Sequence, residues 1–149
     1  MCSSLFFADS PVPIPVPDIV ILDVEGTIAF HGSSKAEARA ASRVAALRGM
    51  TTLFICSNAS DSARIAGIVR DLGISPLALR GRKPWGILPP NFPRGKTISV
   101  FGDKLITDGL FAWRIGARFV KVRRLVSGTE SLTDTIVFML DDFLALFFA

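Results

Sequence analysis

Residues 18–27 read DIVILDVEGT. Ile19, Val20, Ile21 and Leu22 form an unbroken apolar run, the pattern of a short strand buried on both faces. The run stops at Asp23, and Gly26 and Thr27 follow where a chain leaving a sheet turns sharply. The pattern recurs downstream: TTLFIC at 51–56 ends at Ser57-Asn58, and TISVF at 97–101 ends at Gly102-Asp103. Helix-period stretches separate these runs. One, capped by Ser33 or Ser34, runs to about Leu47; another runs from about Ser60 to Leu72 and closes at Gly73. A weak strand near 77–79, a helix around 107–115 and a strand near 118–122 complete the order. Such alternation predicts an α/β fold with a parallel sheet covered on both faces.

Around this core the chain divides into a Pro-rich N-terminal arm (1–17), the α/β unit (18–130) and an apolar C-terminal helix (131–149). The 149 residues, half of them hydrophobic, suit one domain with a sizeable core. Seventeen basic against 13 acidic residues, net +4, is too small an excess to point to nucleic acid. Arg80, Arg82 and Lys83, and then Arg114, Arg118, Lys121, Arg123 and Arg124, read as a solvated basic face. Cys2 and Cys56 have no disulfide or metal spacing, and Cys56 lies in an apolar run as a small buried hydrophobe. The N-terminus lacks a basic, signal-like start, and no stretch is apolar for long enough to span a bilayer, so a cytoplasmic location is expected. The tail TDTIVFMLDDFLALFFA (133–149) is expected to pack on the sheet or in a homodimer, with peripheral membrane contact as the second reading. Asp141 and Asp142 are expected on its exposed stripe.

Ligands of parallel sheets bind at the carboxyl ends of the strands, which is where Asp23, Ser57 and Asp103 fall. Phosphate-ester hydrolysis needs a nucleophile, an acid/base, a hard divalent cation and donors for the phosphoryl oxygens. Asp23 suits the first role and Glu25 the second. Ser57, Asn58 and Lys83 suit the phosphate. Asp23, the Glu25 backbone carbonyl, Asp103 and Asp108 suit Mg²⁺. Taken singly, each has a plainer reading: Asp23 as a turn residue, Ser57-Asn58 as a helix cap, Lys83 as a surface charge, Asp108 as a helix start. Their joint occurrence, each at a strand end or in the loop beyond, favours the chemical reading. His31 reads as a turn residue, Trp85 and Trp113 as packing residues, and Arg114 as support for the metal-site loop.

The four segments Asp23-Val-Glu25-Gly-Thr27, Leu53-Phe-Ile-Cys-Ser57-Asn58, Lys83-Pro84 and Gly102-Asp103-Lys-Leu-Ile-Thr-Asp108 resemble, in order, the four motifs of the haloacid dehalogenase superfamily. The resemblance implies a Rossmann-like three-layer sandwich and a Mg²⁺-dependent phosphomonoesterase working through an aspartyl-phosphate on Asp23. Glu25 stands where the family usually has Asp; a similar form occurs in the enolase-phosphatase branch. The stretch 100–122, with Arg114-Ile-Gly116 after the last motif, is similar to the YqeG-type branch of subfamily III, which includes phosphatidylglycerophosphate phosphatases. That likeness implies a phosphorylated small molecule or lipid headgroup as substrate. A soluble sugar-phosphate or nucleotide phosphatase, and a catalytically weakened binding module, are the alternatives. Between the motifs there is room for single helices only, so no cap domain is expected and the crevice should be open. The prolines at 84, 89, 90 and 93 make the crossover before Asp103 irregular rather than helical.

Overall fold

All four residues of strand β1 (Ile19–Leu22) are buried, because the strand lies in the middle of its sheet. The structure, a computed structural model, describes residues 5–11, 13, 15–128 and 132–145. Strands β2 (Thr52–Ile55), β3 (Ser75–Pro76), β4 (Ile98–Gly102) and β5 (Arg118–Lys121) complete a five-stranded sheet, every pairing parallel, in the order β3-β2-β1-β4-β5. This is a Rossmann-like α/β fold. Side chains alternate through β1: Val20 and Leu22 pack with Val44, Leu47, Ile68 and Val69, while Ile19 and Ile21 pack with Phe92, Phe111 and Ala112. Two apolar layers therefore enclose the sheet. Each fully buried aliphatic or aromatic side chain contributes about 1.5–3 kcal/mol.

Helix α1 (Ala38–Leu47) begins later than the serines suggest. Glu37 is its cap, accepting from the N–H groups of Arg39 and Ala40, while the Ser33 hydroxyl closes a local turn with Lys35. Helix α2 (Ser62–Leu72) is capped by Asp61, not by Ser57-Asn58, and ends at Gly73, whose φ of 62° suits glycine. The weak third strand lies at Ser75–Pro76, slightly before its expected place, and its ladder continues as Leu77 N–H donates to the Ile55 carbonyl (2.7 Å). The helix expected around 107–115 is two pieces. A π-helical turn, Leu105–Gly109, leads into α3 (Leu110–Arg114), because the Lys104 carbonyl accepts from both Asp108 and Gly109. The connection through 84–97 contains no helix, as the prolines require, and seats Phe92 on the sheet.

Three peripheral expectations change. Of the N-terminal arm, the 3₁₀ turn Phe7–Asp9 joins the core, burying Phe7 edge-on against Phe101 (5.5 Å between ring centroids). Trp85 and Trp113 are exposed rather than packed; Trp85 offers its face to Arg114. The C-terminal helix α4 (Leu132–Ala145) is turned about. Asp141 is 1% exposed, whereas Ile136, Met139, Leu140 and Phe143 are each more than half exposed. Asp142 alone of the two carboxylates lies on the surface. Cys56 is buried and free, its thiol pushed up to about 11 by burial; Cys2 lies outside the described residues. No helix among the described residues is long and apolar enough to cross a membrane.

Candidate active site

In this strand order the chain reverses direction across the sheet between β1 and β4, which opens a crevice beyond their carboxyl ends. Leu22 is level with Ile55 on one side and Phe101 on the other. The ladder runs one step further on both sides: Cys56 N–H donates to the Leu22 carbonyl and Asp23 N–H to the Phe101 carbonyl, each at 2.9 Å. Asp23 is thereby held at the crevice floor, beside Cys56 and Gly102. Asp103 follows directly, and the π-helical turn brings back Asp108. The three carboxylates are buried, and one oxygen of each lies within 4.8 Å of the others.

The approach of Asp108 depends on Gly102. A Cβ there would sit 2.4 Å from the Asp108 carboxyl carbon; at Gly26, with φ +78°, it would meet an Asp103 oxygen at 2.6 Å. Gly102→Ala is expected to lower the thermal midpoint by several degrees, overpacking costing about 1–3 kcal/mol, and to weaken divalent-cation binding. Gly67→Ala, in the open face of α2, is expected to raise the midpoint slightly. A Gly102→Ala protein that melts and binds metal like wild type would remove the close approach from the account.

Lys83 is the counter-charge. Its side chain is 2% exposed, and Nζ donates to Asp23 Oδ1 (2.6 Å) and to Asp108 Oδ1. Burial alone would lower its pKa; Asp23 and then Asp108 outweigh that and raise it, so the ammonium stays charged. It does not belong to a solvated face. Asn58, expected among the phosphate contacts, instead brackets the lysine backbone. Its amide donates to the Lys83 carbonyl and accepts from the Lys83 N–H, both at 2.9 Å. Arg114 Nη1 donates to the Pro84 carbonyl (2.6 Å), so it supports the lysine loop rather than the metal-site loop. The Ser57 hydroxyl accepts from Ala59 N–H (3.1 Å), which leaves its own proton to donate.

Asp103 is held by Lys104 Nζ (3.1 Å) and Arg124 Nε. Burial pushes its carboxyl up, with Lys104 opposing and Asp23 adding to the rise. Burial, and then repulsion from Asp23, push Asp108 up to about 7 against the opposing Lys83. Asp103 and Asp108, both pushed up, lie with Asp23 as three crowded hard oxygen donors suited to a divalent cation of the Mg²⁺, Mn²⁺ or Ca²⁺ kind. The Glu25 carboxylate is not in this cluster. It is bound by Arg64, accepts from Gly32 N–H (3.4 Å), and lies 3.7 Å from the half-exposed His31. With Asp103, Lys104, Arg124 and Phe138 it lines a small crevice beside the cluster. Thr27 Oγ1 and Arg124 Nη2 are buried with no hydrogen-bond partner. A groove of about 330 Å³ lies at the other end of β4, against the Pro-rich connection, and has no carboxylate or histidine in its lining.

Sequence reasoning brought together Asp23, Lys83, Asp103 and Asp108, and missed Arg64, Lys104 and Arg124. Lys104 could have been found from its place beside Asp103; the others carry no local signal. Comparison of the chain with protein-family models, with curated proteins and with solved structures finds no match.

Proposed function

We propose that the chain is a Mg²⁺-dependent phosphomonoester hydrolase of the haloacid dehalogenase type, working through an aspartyl-phosphate on Asp23. One observation carries the reading: Asp23, Asp103 and Asp108 converge, buried, at the switch-point crevice, with Lys83 bridging Asp23 and Asp108. Asp103 and Asp108 would hold the metal with Asp23 and the Glu25 carbonyl. When bound, it would neutralise the repulsion between carboxylate and phosphate. Asp23 attacks phosphorus and the ester P–O bond breaks, with Glu25 giving a proton to the departing alkoxide. Water then attacks the aspartyl-phosphate, Glu25 takes a proton from it, and phosphate leaves with the Asp23 carboxylate restored. The Ser57 hydroxyl and Lys83 hold the phosphoryl oxygens, and Asn58 holds Lys83.

The charges fit this chemistry. Once all three carboxylates are ionised around a cation they are matched by Lys83, Lys104 and Arg124, so a divalent cation alone leaves two excess charges in a buried site. A phosphoryl dianion cancels them. Metal and phosphate should therefore bind cooperatively. The Arg64–Glu25 ion pair favours one alternative, a weakened module that binds a phosphorylated ligand without turning it over. The substrate class, a small phosphomonoester or a lipid headgroup, belongs to the same proposal, as does contact of the outward apolar face of α4 with a bilayer or a second copy.

The test combines turnover with trapping. Mg²⁺ with beryllofluoride is expected to raise the thermal midpoint by more than the two separate shifts together, and Mg²⁺ to support hydrolysis of an aryl phosphate. Trapping without turnover would favour the binding module, and neither would sink the reading. A panel setting phosphatidylglycerophosphate against small phosphomonoesters then separates the substrate classes.

A further inference from the structure

An apolar helix that presents its hydrophobic face to solvent must be held by something else. Of the α4 side chains described, 135–144, only Asp141 is buried. Its Oδ2 accepts from Leu105 N–H and its Oδ1 from Ile106 N–H, both at 2.9 Å, and Lys121 Nζ lies 3.1 Å from Oδ2. These amides open the π-helical turn, where the first N–H groups of a helix have no partner of their own. A carboxylate that takes two of them makes charge-assisted bonds, roughly twice as strong as neutral ones. Leu105 lies two residues after Asp103, and Ile106 two before Asp108, so Asp141 grips the middle of the segment whose ends carry the metal carboxylates.

The same helix reaches the site a second time. One turn before Asp141, the Phe138 ring lies against the Arg124 guanidinium (3.6 Å to the ring centroid) and 5.5 Å from Lys104 Nζ. Those are the two cations that hold Asp103. Asp103 and Asp108 repel each other in a buried site. Within their own turn they are held by the Lys104 N–H, which donates to Asp108 Oδ2 (3.3 Å), and by the bonds from Asp108 and Gly109 N–H to the Lys104 carbonyl. Asp141 adds a hold from outside the turn. We propose that Asp141 is a positioning residue for the metal centre: it braces the 103–108 segment across the chain so that its two carboxylates stay close enough to share one cation. The proposal rests on the metal-dependent reading above and adds to it a residue that touches neither metal nor substrate.

Direct Mg²⁺ binding to the full chain, measured by titration calorimetry, is the test. Asp141→Asn keeps the shape but loses the charge and turns one acceptor into a donor facing an N–H. It is expected to weaken Mg²⁺ binding by about 10- to 100-fold, the range for loss of an outer-shell partner. Turnover at saturating Mg²⁺ should stay within about threefold. Asp142→Asn and Lys121→Met, which leave both amide contacts in place, should bind Mg²⁺ within about twofold of wild type. A folded Asp141→Asn protein with wild-type affinity would overturn the proposal, as would a Lys121→Met loss as large as that of Asp141→Asn. Should Asp141→Asn not fold, amide exchange in the wild-type chain decides: Mg²⁺ must slow exchange at Leu105 and Ile106, and unchanged rates refute the brace. A wild type that binds Mg²⁺ but hydrolyses no phosphate ester ends the phosphatase reading and leaves the brace standing. One that binds no Mg²⁺ ends both.

Discussion

Asp23→Asn is expected to reduce Mg²⁺-dependent hydrolysis of an aryl phosphate by at least about a thousandfold, the order of loss seen when a nucleophile is removed. An amide does not attack phosphorus, and the other two carboxylates of the cluster have cations of their own. Asp103 is clamped by Lys104 and Arg124, and Asp108 is tied to Lys83. The variant should nonetheless fold. Asn has the shape of Asp, and its carbonyl still accepts from Lys83. Losing the charge weakens the pairing of that ammonium but relieves the repulsion that raises Asp108, so the two effects oppose. A thermal midpoint within a few degrees of wild type, together with dead kinetics, is the expected pair of results. Equal turnover by the variant would remove Asp23 from the mechanism.

Lys83→Met should instead be costly to stability. It leaves three buried carboxylates with no ammonium between Asp23 and Asp108, and breaking a buried ion pair from one side costs about 3–5 kcal/mol. For a chain of this length that is about 10 °C in thermal midpoint. The cost should depend on pH in a definite direction. Asp108, near 3.8 when unfolded, is pushed up to about 7 in the fold, first by burial and then by Asp23. Between those values the native state holds more protons than the unfolded one, so metal-free stability falls as pH rises from about 4 through 7. Lys83 is raised from an already high value, so in wild type its contribution is fully present across this window and is lost only in strong alkali. Without it Asp108 should rise further. Lys83→Met is therefore expected to lose much less at pH 5 than at pH 8, and Mg²⁺ should restore part of the loss at pH 8. Melting curves at both pH values check this; a variant within about 2 °C of wild type at pH 8 would show that the ammonium does not hold the cluster.

What could be read from the sequence was what local pattern carries. Unbroken apolar runs marked the buried strands, and the residue following each run marked the crevice. Side chains whose partners lie far along the chain could not be read so. Glu25 pairs with Arg64 across 39 residues, and Asn58 brackets Lys83 across 25. Neither spacing belongs to a helix or a strand, so only the tertiary fold brings them together. Ser33 and Ser34 are reasonable caps by residue type, but the Ser33 hydroxyl is spent on the turn with Lys35 and the helix begins only at Ala38, capped by Glu37. Asp141 went astray for a different reason. Hydropathy assigns a carboxylate in an apolar helix to water, yet two unpaired amides of another helix are a better partner than water when they lie buried. Gly102 was visible as a motif residue, but its use, room for a carboxylate six positions later, was not.

The central place of β1 also dictates a sequence of events. On one side it joins chain 34 residues away, as Thr51 Oγ1 donates to the Pro17 carbonyl; on the other it joins chain 79 residues away, as Asp18 N–H donates to Thr97 Oγ1. Closing the longer loop costs little more at equilibrium, about 0.6 kcal/mol per doubling, but distant contacts form late. The half from β1 to β3 can assemble while 98–108 is still searching, and until β4 docks Asp23 has no carboxylate for company. Electrostatic strain thus enters only once β4 has docked, and a cation that relieves it acts on the docked state. Mg²⁺ should then slow unfolding and leave the folding rate unchanged, a division that stopped-flow mixing reads directly.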